Sequence, residues 1–269
     1  MVMNKIHELV VVEKGAVLGD NIEINPFCSI GSEVVIEDNV KIHEHVVIKG
    51  KTVIGAGTEI YPFASIGLPP QDLKYRGERS ETIIGKNCQI REHVTIHAGT
   101  ASGIMLTKVG DNCLLMAGSH VAHDCIVGNE VIIANCAALA GHVVIDDFCI
   151  IGGLAAILQF VRIGKYAMIC GMTGVTTNVP PFAMVFGNRG YLSGLNLVGM
   201  KRRGFTREEI KEINSLYKII FFNNELSFKA RVEAAKERVN SIHGQEIINF
   251  LSENSKKNFC QPRMNNEAE

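Results

Sequence analysis

The chain has 269 residues, 46% of them hydrophobic and 20% charged, with 26 glycines, no tryptophan and a formal net charge of -1. That is the profile of an ordinary globular protein, and its even charge gives no whole-molecule reason to expect nucleic acid or an anionic membrane as partner. Glu8 and Glu13 interrupt the apolar N-terminal run, which argues against a signal peptide, and no run reaches the roughly 18 apolar residues of a bilayer span. A cytoplasmic protein with no integral membrane segment is expected.

From Ile6 onward an aliphatic residue returns every sixth position: Val12, Leu18, Ile24, Ile30, Ile36, Ile42, Ile48, Ile54, Ile60 and Ile66. The register pauses near residues 68–82, resumes at Ile84, Ile90 and Ile96, and pauses again near 98–108. It then runs from Val109 through Leu115, Val121 and onward to Val175. Two positions before each aliphatic stands a small or β-branched residue, among them Cys28, Val34, Ala64, Cys88, Cys113, Ser119, Cys125 and Cys149. Residues two apart share one side of a strand, so both columns fill a narrow interior. A six-residue period of this kind predicts a parallel β-helix, each unit burying its face only by stacking on its neighbours. Five of the eight cysteines share the small-residue phase and no C-x-x-C occurs, so they read as buried packing residues, neither bridges nor metal ligands.

Three hexads close a triangular turn, so residues 18 apart stack about 4.8 Å apart. The residue before each core aliphatic faces outward. In the second run this column becomes apolar, with Leu114, Ile126, Ile132, Ala138, Val144, Ile150 and Met168 beside His120. Read as one continuous stripe on one face, it predicts a homo-oligomer with His120 in the contact, and a cyclic trimer suits a three-sided prism. Pro180 and Pro181 cannot donate ladder hydrogen bonds, which predicts that the repeat stops there. The expected layout is a β-helix over residues 1–187, a connecting segment over 188–203, and an α-helical domain over 204–269. Thr206 with Glu209 forms a capping-box pattern opening the first of three helices, and the residues after 255 read as a frayed tail.

The stretch "SHVAHDCIVGN" places His120, His123 and Asp124 at and beside a corner, and adding 18 to Asp124 gives His142. Gly141 then stacks on His123 and offers a backbone N–H with no side chain in the way. His97 falls about one coil below. Isolated corner histidines such as His7, His43, His45 and His93 need only be solvated polar residues. The clustered set admits two chemistries. Three imidazoles could bind zinc, as in trimeric carbonic anhydrases that share the hexad. Alternatively, a neutral imidazole oriented by a carboxylate could act as general base on a sugar hydroxyl. A non-catalytic scaffold would need neither.

The segments "PQDLKYRGE", "IREHVTIHAGT", "LTKVGDNCLLM", "SHVAHDCIVGN", "LAGHVVIDDFCIIGG" and "GLNLVGMKRRGF" closely resemble the acyl-ACP:UDP-N-acetylglucosamine O-acyltransferases of lipid A biosynthesis, both insertions included. The resemblance implies a left-handed coil; the expected assembly is a homotrimer, with no cofactor and no bound metal. It implies transfer of a 3-hydroxyacyl chain from acyl carrier protein to the glucosamine 3-hydroxyl of UDP-N-acetylglucosamine. His123 would be the general base, Asp124 its support and Gly141 the oxyanion donor. Gln71, Asp72, Lys74, His97, His120, His142 and Gln159 would shape the site. Gly171 would set acyl length, and Asn196, Arg202 and Arg203 would hold the nucleotide end. Leu158, Arg189 and Val198 depart from the family pattern without touching the His123–Asp124 pair. The N-acyltransferase of the same pathway carries an extra N-terminal domain, for which hexads starting at Ile6 leave no room.

Overall fold

The structure is a computed structural model that describes residues 4–223, 226–253 and 257–263. Among these residues, strands mostly two residues long, all but the last of them paired in parallel, form three sheets of eleven, nine and eight strands, the faces of a three-sided coil. The first face climbs from Lys5–Ile6 to Met168–Ile169 and beyond, the second from Val11–Val12 to Gly174–Val175, the third from Val17–Leu18 to Arg162–Ile163. Their register is that of the hexads. Ile24 pairs with Ile42, Ile42 with Ile60, and across the insertions Ile60 pairs with Ile90 and Ile90 with Leu115. The architecture is a left-handed parallel β-helix.

The aliphatic column is almost wholly withdrawn from water, with Ile30, Ile48, Ile66, Ile96, Val121 and Leu139 all at 0% exposure. Each such side chain stabilises the coil by about 1.5–3 kcal/mol. The bottom coil is different: Ile6 and Val12 are exposed because their coil has a neighbour on one side only. The predicted packing cysteines are free thiols, and Cys28, Cys88, Cys113, Cys125 and Cys149 are buried. At nearly every corner one residue adopts positive φ; Asn39, His93, Asp124, His142 and Phe160 all lie between 59° and 64°. Those values are unusual for residues with a Cβ and are held by the ladder bonds on either side.

Two expectations need correction. The outward column is not one stripe, because successive hexads occupy successive faces: Leu114, Ile132, Ile150 and Met168 lie on the first face, His120, Ala138 and Ala156 on the second, Ile126 and Val144 on the third. The hexad register does change at the prolines, with Ile169 pairing with Val185, while the coil runs on inside the expected 1–187 span through Ala183–Phe186. Pro181 occupies a turn position beside Phe182 (φ 66°), where no ladder N–H is required. Finally, the residues expected to fray are in part ordered. Phe259 bridges Asn178, and Cys260 is 2% exposed, because both sit against the last coil.

Residues 188–203 carry more structure than a connector. Tyr191–Leu195 pairs antiparallel with Ala183–Phe186, and α1 spans Leu197–Arg202. Three further helices follow, α2 (Arg207–Phe221), α3 (Phe228–Lys236) and α4 (Ile242–Ser252). The capping box at the start of α2 is formed: Thr206 Oγ1 accepts from Glu209 N–H and Glu209 accepts from Thr206 N–H. Tyr217 of α2 donates its hydroxyl to Pro181 O and joins the core that ties the helices to the coil.

Candidate active site

His120 ends up outward on the second face, and His123 and Asp124 form the corner that follows it. Asp124 is 2% exposed, and its carboxylate is wrapped by the second insertion. Thr100 Oγ1–H donates to Oδ2 at 2.6 Å, and Thr100 N–H reaches both oxygens at 3.1 Å. Ile104 N–H donates to Oδ1 at 2.9 Å. Thr107 Oγ1 accepts from Asp124 N–H at 2.9 Å. The remaining contact runs from Oδ2 to His123 Nδ1, 2.8 Å away. Burial drives this carboxyl toward the neutral form, but the hydrogen bonds from Thr100, His123 and Ile104 outweigh it and hold the carboxyl below its ordinary value. A carboxylate only accepts, so His123 Nδ1 must carry a proton, and in the neutral imidazole that leaves the lone pair on Nε2.

Gly141 is the stacking partner of His123. A Cβ on Gly141 would stand 2.5 Å from His123 Cε1 and 2.6 Å from Nε2, so only glycine leaves the ring its place. His142 packs edge-on to His123 at 5.0 Å and stacks on Phe160 at 4.4 Å. Its Nδ1 is 3.9 Å from Asp124 Oδ2. Burial pushes its basicity down, and the Asp124 carboxylate is the main charge opposing that shift while the His123 ring reinforces it. His97 and His120 meet edge-on at 5.0 Å, and Thr95 Oγ1 contacts His120 Nδ1 at 2.7 Å. Burial, helped by the His120 and His123 rings, lowers His97 to about 4, and burial lowers His120 as well. His97 Nδ1 is buried without a hydrogen-bond partner.

These groups open on a cavity of about 540 Å³ along the second face. His97, His120, His123 and Gly141 stand at one end, with Gln71 and Gln159 on its walls. The outward residues Ala138, Ala156 and Gly174 give it a smooth floor, and Leu158 faces into it. Gly171 is not part of its lining; it begins the corner between the first and second faces.

Asn196, Arg202 and Arg203 are not brought to this cavity either. Asn196 caps α1, accepting from Gly199 N–H at 3.0 Å and donating to Tyr166 O at 2.9 Å. Arg203 pairs with Glu130 and lies 4.7 Å over Phe148, and Arg202 is exposed beside it. Glu130, Phe148 and Tyr166 form the edge between the third and first faces, whereas His123 is on the edge between the second and third.

His123, Asp124 and His142 each place one potential metal-ligating atom within 4.8 Å of the others, the one such grouping among the described residues. Asp124 is poorly suited to that task, because both its oxygens are already engaged by Thr100, Ile104 and His123. Thr100, Gly103, Ile104 and Thr107 were not anticipated from sequence. The only available signal was the break in the hexad at "AGTASGIMLTK", rich in glycine and hydroxyl residues. Gly103 sits so tightly on Asp124 that a Cβ there would stand 2.4 Å from either carboxylate oxygen.

Residues 178–260 match the family model described as UDP-N-acetylglucosamine O-acyltransferase, domain 2. Residues 15–50, 33–67 and 106–141 match that of the bacterial transferase hexapeptide (six repeats). An acyl-[acyl-carrier-protein]--UDP-N-acetylglucosamine O-acyltransferase of Campylobacter concisus is 38% identical over 94% of this chain and 97% of its own length. Its counterpart from Aliarcobacter butzleri is 49% identical over 81% of this chain and 84% of its own. The crystal structure of the Francisella novicida UDP-N-acetylglucosamine acyltransferase superposes with a TM-score of 0.92 at 39% identity, covering 95% of this chain and 94% of that one. The chain belongs to the UDP-N-acetylglucosamine O-acyltransferase family.

Proposed function

We propose that this protein transfers a 3-hydroxyacyl chain from acyl carrier protein to the 3-hydroxyl of the glucosamine of UDP-N-acetylglucosamine, the first step of lipid A biosynthesis. The observation that carries the reading is the His123–Asp124 pair, held at 2.8 Å at the mouth of an apolar trough. Family membership supplies the substrates. His123 Nε2 takes the hydroxyl proton as the oxygen attacks the thioester carbonyl carbon. Gly141 N–H stabilises the resulting oxyanion, and collapse expels the carrier thiolate, which receives the proton back from the imidazolium. Asp124 fixes the tautomer and balances the transient imidazolium.

His97, His120, His142, Gln71, Asp72, Lys74 and Gln159 shape the acceptor and the start of the acyl chain, and Gly171 belongs with chain-length control. Asn196, Arg202 and Arg203 take the nucleotide end. Because they lie on another edge of the prism, their contribution comes from a neighbouring copy, which supports a homotrimer with sites between subunits. No described helix is long and apolar enough to cross a membrane, and we place the reaction in the cytoplasm. No cofactor is required, since acid–base chemistry and the activated thioester suffice.

The test combines purified protein, UDP-N-acetylglucosamine and 3-hydroxyacyl carriers of several lengths, with products read by mass spectrometry beside His123→Ala. One base-labile O-acylated sugar nucleotide, absent in the variant, is expected. Undiminished turnover in His123→Ala would refute the assignment of the base.

A further inference from the structure

The trough that begins at the histidines ends at Gly174, Val175 and Thr176. From the level of Val121 the second face climbs through Leu139 and Ile157 to Val175, three steps of about 4.8 Å each. A turn from another part of the chain packs over Gly174 at this end. Gly190 N–H donates to Gly174 O at 2.7 Å, and Asn188 O approaches so closely that a Cβ on Gly174 would stand 2.6 Å from it. Arg189, one of the departures from the family pattern, rides on that turn.

Residues 257–261 hold the turn from behind. Cys260 Sγ–H donates to Gly190 O at 3.5 Å, and Leu192 N–H donates to Gln261 O at 2.9 Å. Lys257 Nζ donates to Thr176 O at 3.3 Å, on the trough lining itself. The same residues zip onto the last coil: Asn178 N–H donates to Asn258 O at 2.9 Å and Cys260 N–H to Asn178 O at 2.8 Å. Phe259 anchors the segment among the helices, its ring 5.7 Å from Phe228 of α3 and 6.0 Å from Phe250 of α4.

Resting on the acyl-transfer reading above, we propose that residues 257–261 are a brace that fixes the closed end of the acyl trough, with Cys260 as a positioning residue for chain-length selection. A wall rejects extra methylenes only if it cannot yield. The turn at 188–190 is flanked by Gly187 and Gly190 and would yield on its own. Bonds from the brace to Gly190, Leu192 and Thr176 remove that freedom. Loosening them enlarges the far end of the trough, so selectivity relaxes toward longer chains while the distant His123–Asp124 pair is undisturbed.

The experiment is a competition among 3-hydroxyacyl carriers that differ by two carbons, with product ratios read by mass spectrometry. It uses the wild-type chain, Cys260→Ala, Cys260→Ser and a chain ending at residue 256. Discrimination by a rigid apolar wall amounts to about tenfold or more per step of chain length. In Cys260→Ala and the truncated chain the ratio of longer to preferred product should rise by at least about threefold, while Cys260→Ser, which keeps a donor for Gly190 O, retains the wild-type ratio. Variants that lose rate equally on every chain, with unchanged ratios, would reduce the segment to general stabilisation and overturn the brace alone. A wild-type protein that acylates nothing would overturn the acyl-transfer reading, and the brace with it. Should the truncated chain not fold, Cys260→Ala decides the matter.

Discussion

Asp124 Oδ2 lies 2.8 Å from His123 Nδ1, and every other hydrogen bond to that carboxylate comes from Thr100 or Ile104 in the second insertion. The insertion that interrupts the repeat is therefore the cradle of the carboxylate that orients the base. Replacing Asp124 with asparagine puts an amide into a cradle built wholly of donors. Its oxygen would turn toward Thr100 and Ile104, leaving its NH₂ to face His123 Nδ1. That would move the ring proton to Nε2, where it cannot accept the substrate's proton. Asp124→Asn should lose about 10²–10⁴ in kcat with little change in KM, as expected for a wrong tautomer. Steady-state kinetics decide this, and a KM effect alone would mean that the pair does not act in the chemical step.

Gly141 makes a second prediction through sterics. A methyl group there would sit 2.5 Å from His123 Cε1, so the imidazole must move. A displacement of about 1 Å in a catalytic group costs on the order of 10²-fold in rate. Gly141→Ala should therefore fall by at least that factor while thermal unfolding shows the coil intact. Near-normal activity would mean that His123 does not work from the position seen here.

Thr100 gives a third. It supplies a hydroxyl donor to Asp124 from inside the fold, itself 1% exposed. Hydrogen bonds to charged groups contribute about 1.5–3 kcal/mol, and Thr100→Val removes one while keeping the shape. The variant should lose stability of that order in urea at neutral pH. Its acid unfolding should begin at higher pH than in the wild type, because Asp124 loses a bond that holds its carboxyl below the ordinary value. Equal acid midpoints would show that Thr100 does not tune the carboxylate.

What could be read from the sequence is what repeats. Adding 18 to Asp124 finds His142 because the ladder keeps register from His123 O to His142 N–H, 3.0 Å apart. The same arithmetic puts Gly141 on His123. The repeat misleads where it is read as linear, because successive hexads occupy successive faces. Leu114, His120 and Ile126 look like neighbours in one column but face three directions. Thr100, Gly103 and Thr107 follow no period, so nothing in their spacing pointed to Asp124. The C-terminal segment is similar: one bridge at Phe259 and one buried thiol at Cys260 leave no pattern to detect. Non-periodic segments become legible only once the coil they touch is in place.

His97 carries the last prediction. Its ring is 6% exposed, with Nδ1 buried and unpartnered, and burial together with the His120 and His123 rings lowers it to about 4 from 6.5. Between those values the unfolded chain takes up a proton that the folded chain refuses. Stability is therefore lost as pH falls through the window from about 6.5 to about 4, by on the order of 3 kcal/mol from this group. His120 and His142, lowered mainly by burial, act in the same direction, and Asp124 adds its own loss at the acid end. His97→Gln removes the titrating ring, so its unfolding free energy should vary less steeply with pH across this window than that of the wild type. Urea titrations at half-unit intervals of pH would measure both slopes, and parallel profiles would show that the buried ring at His97 does not control acid stability.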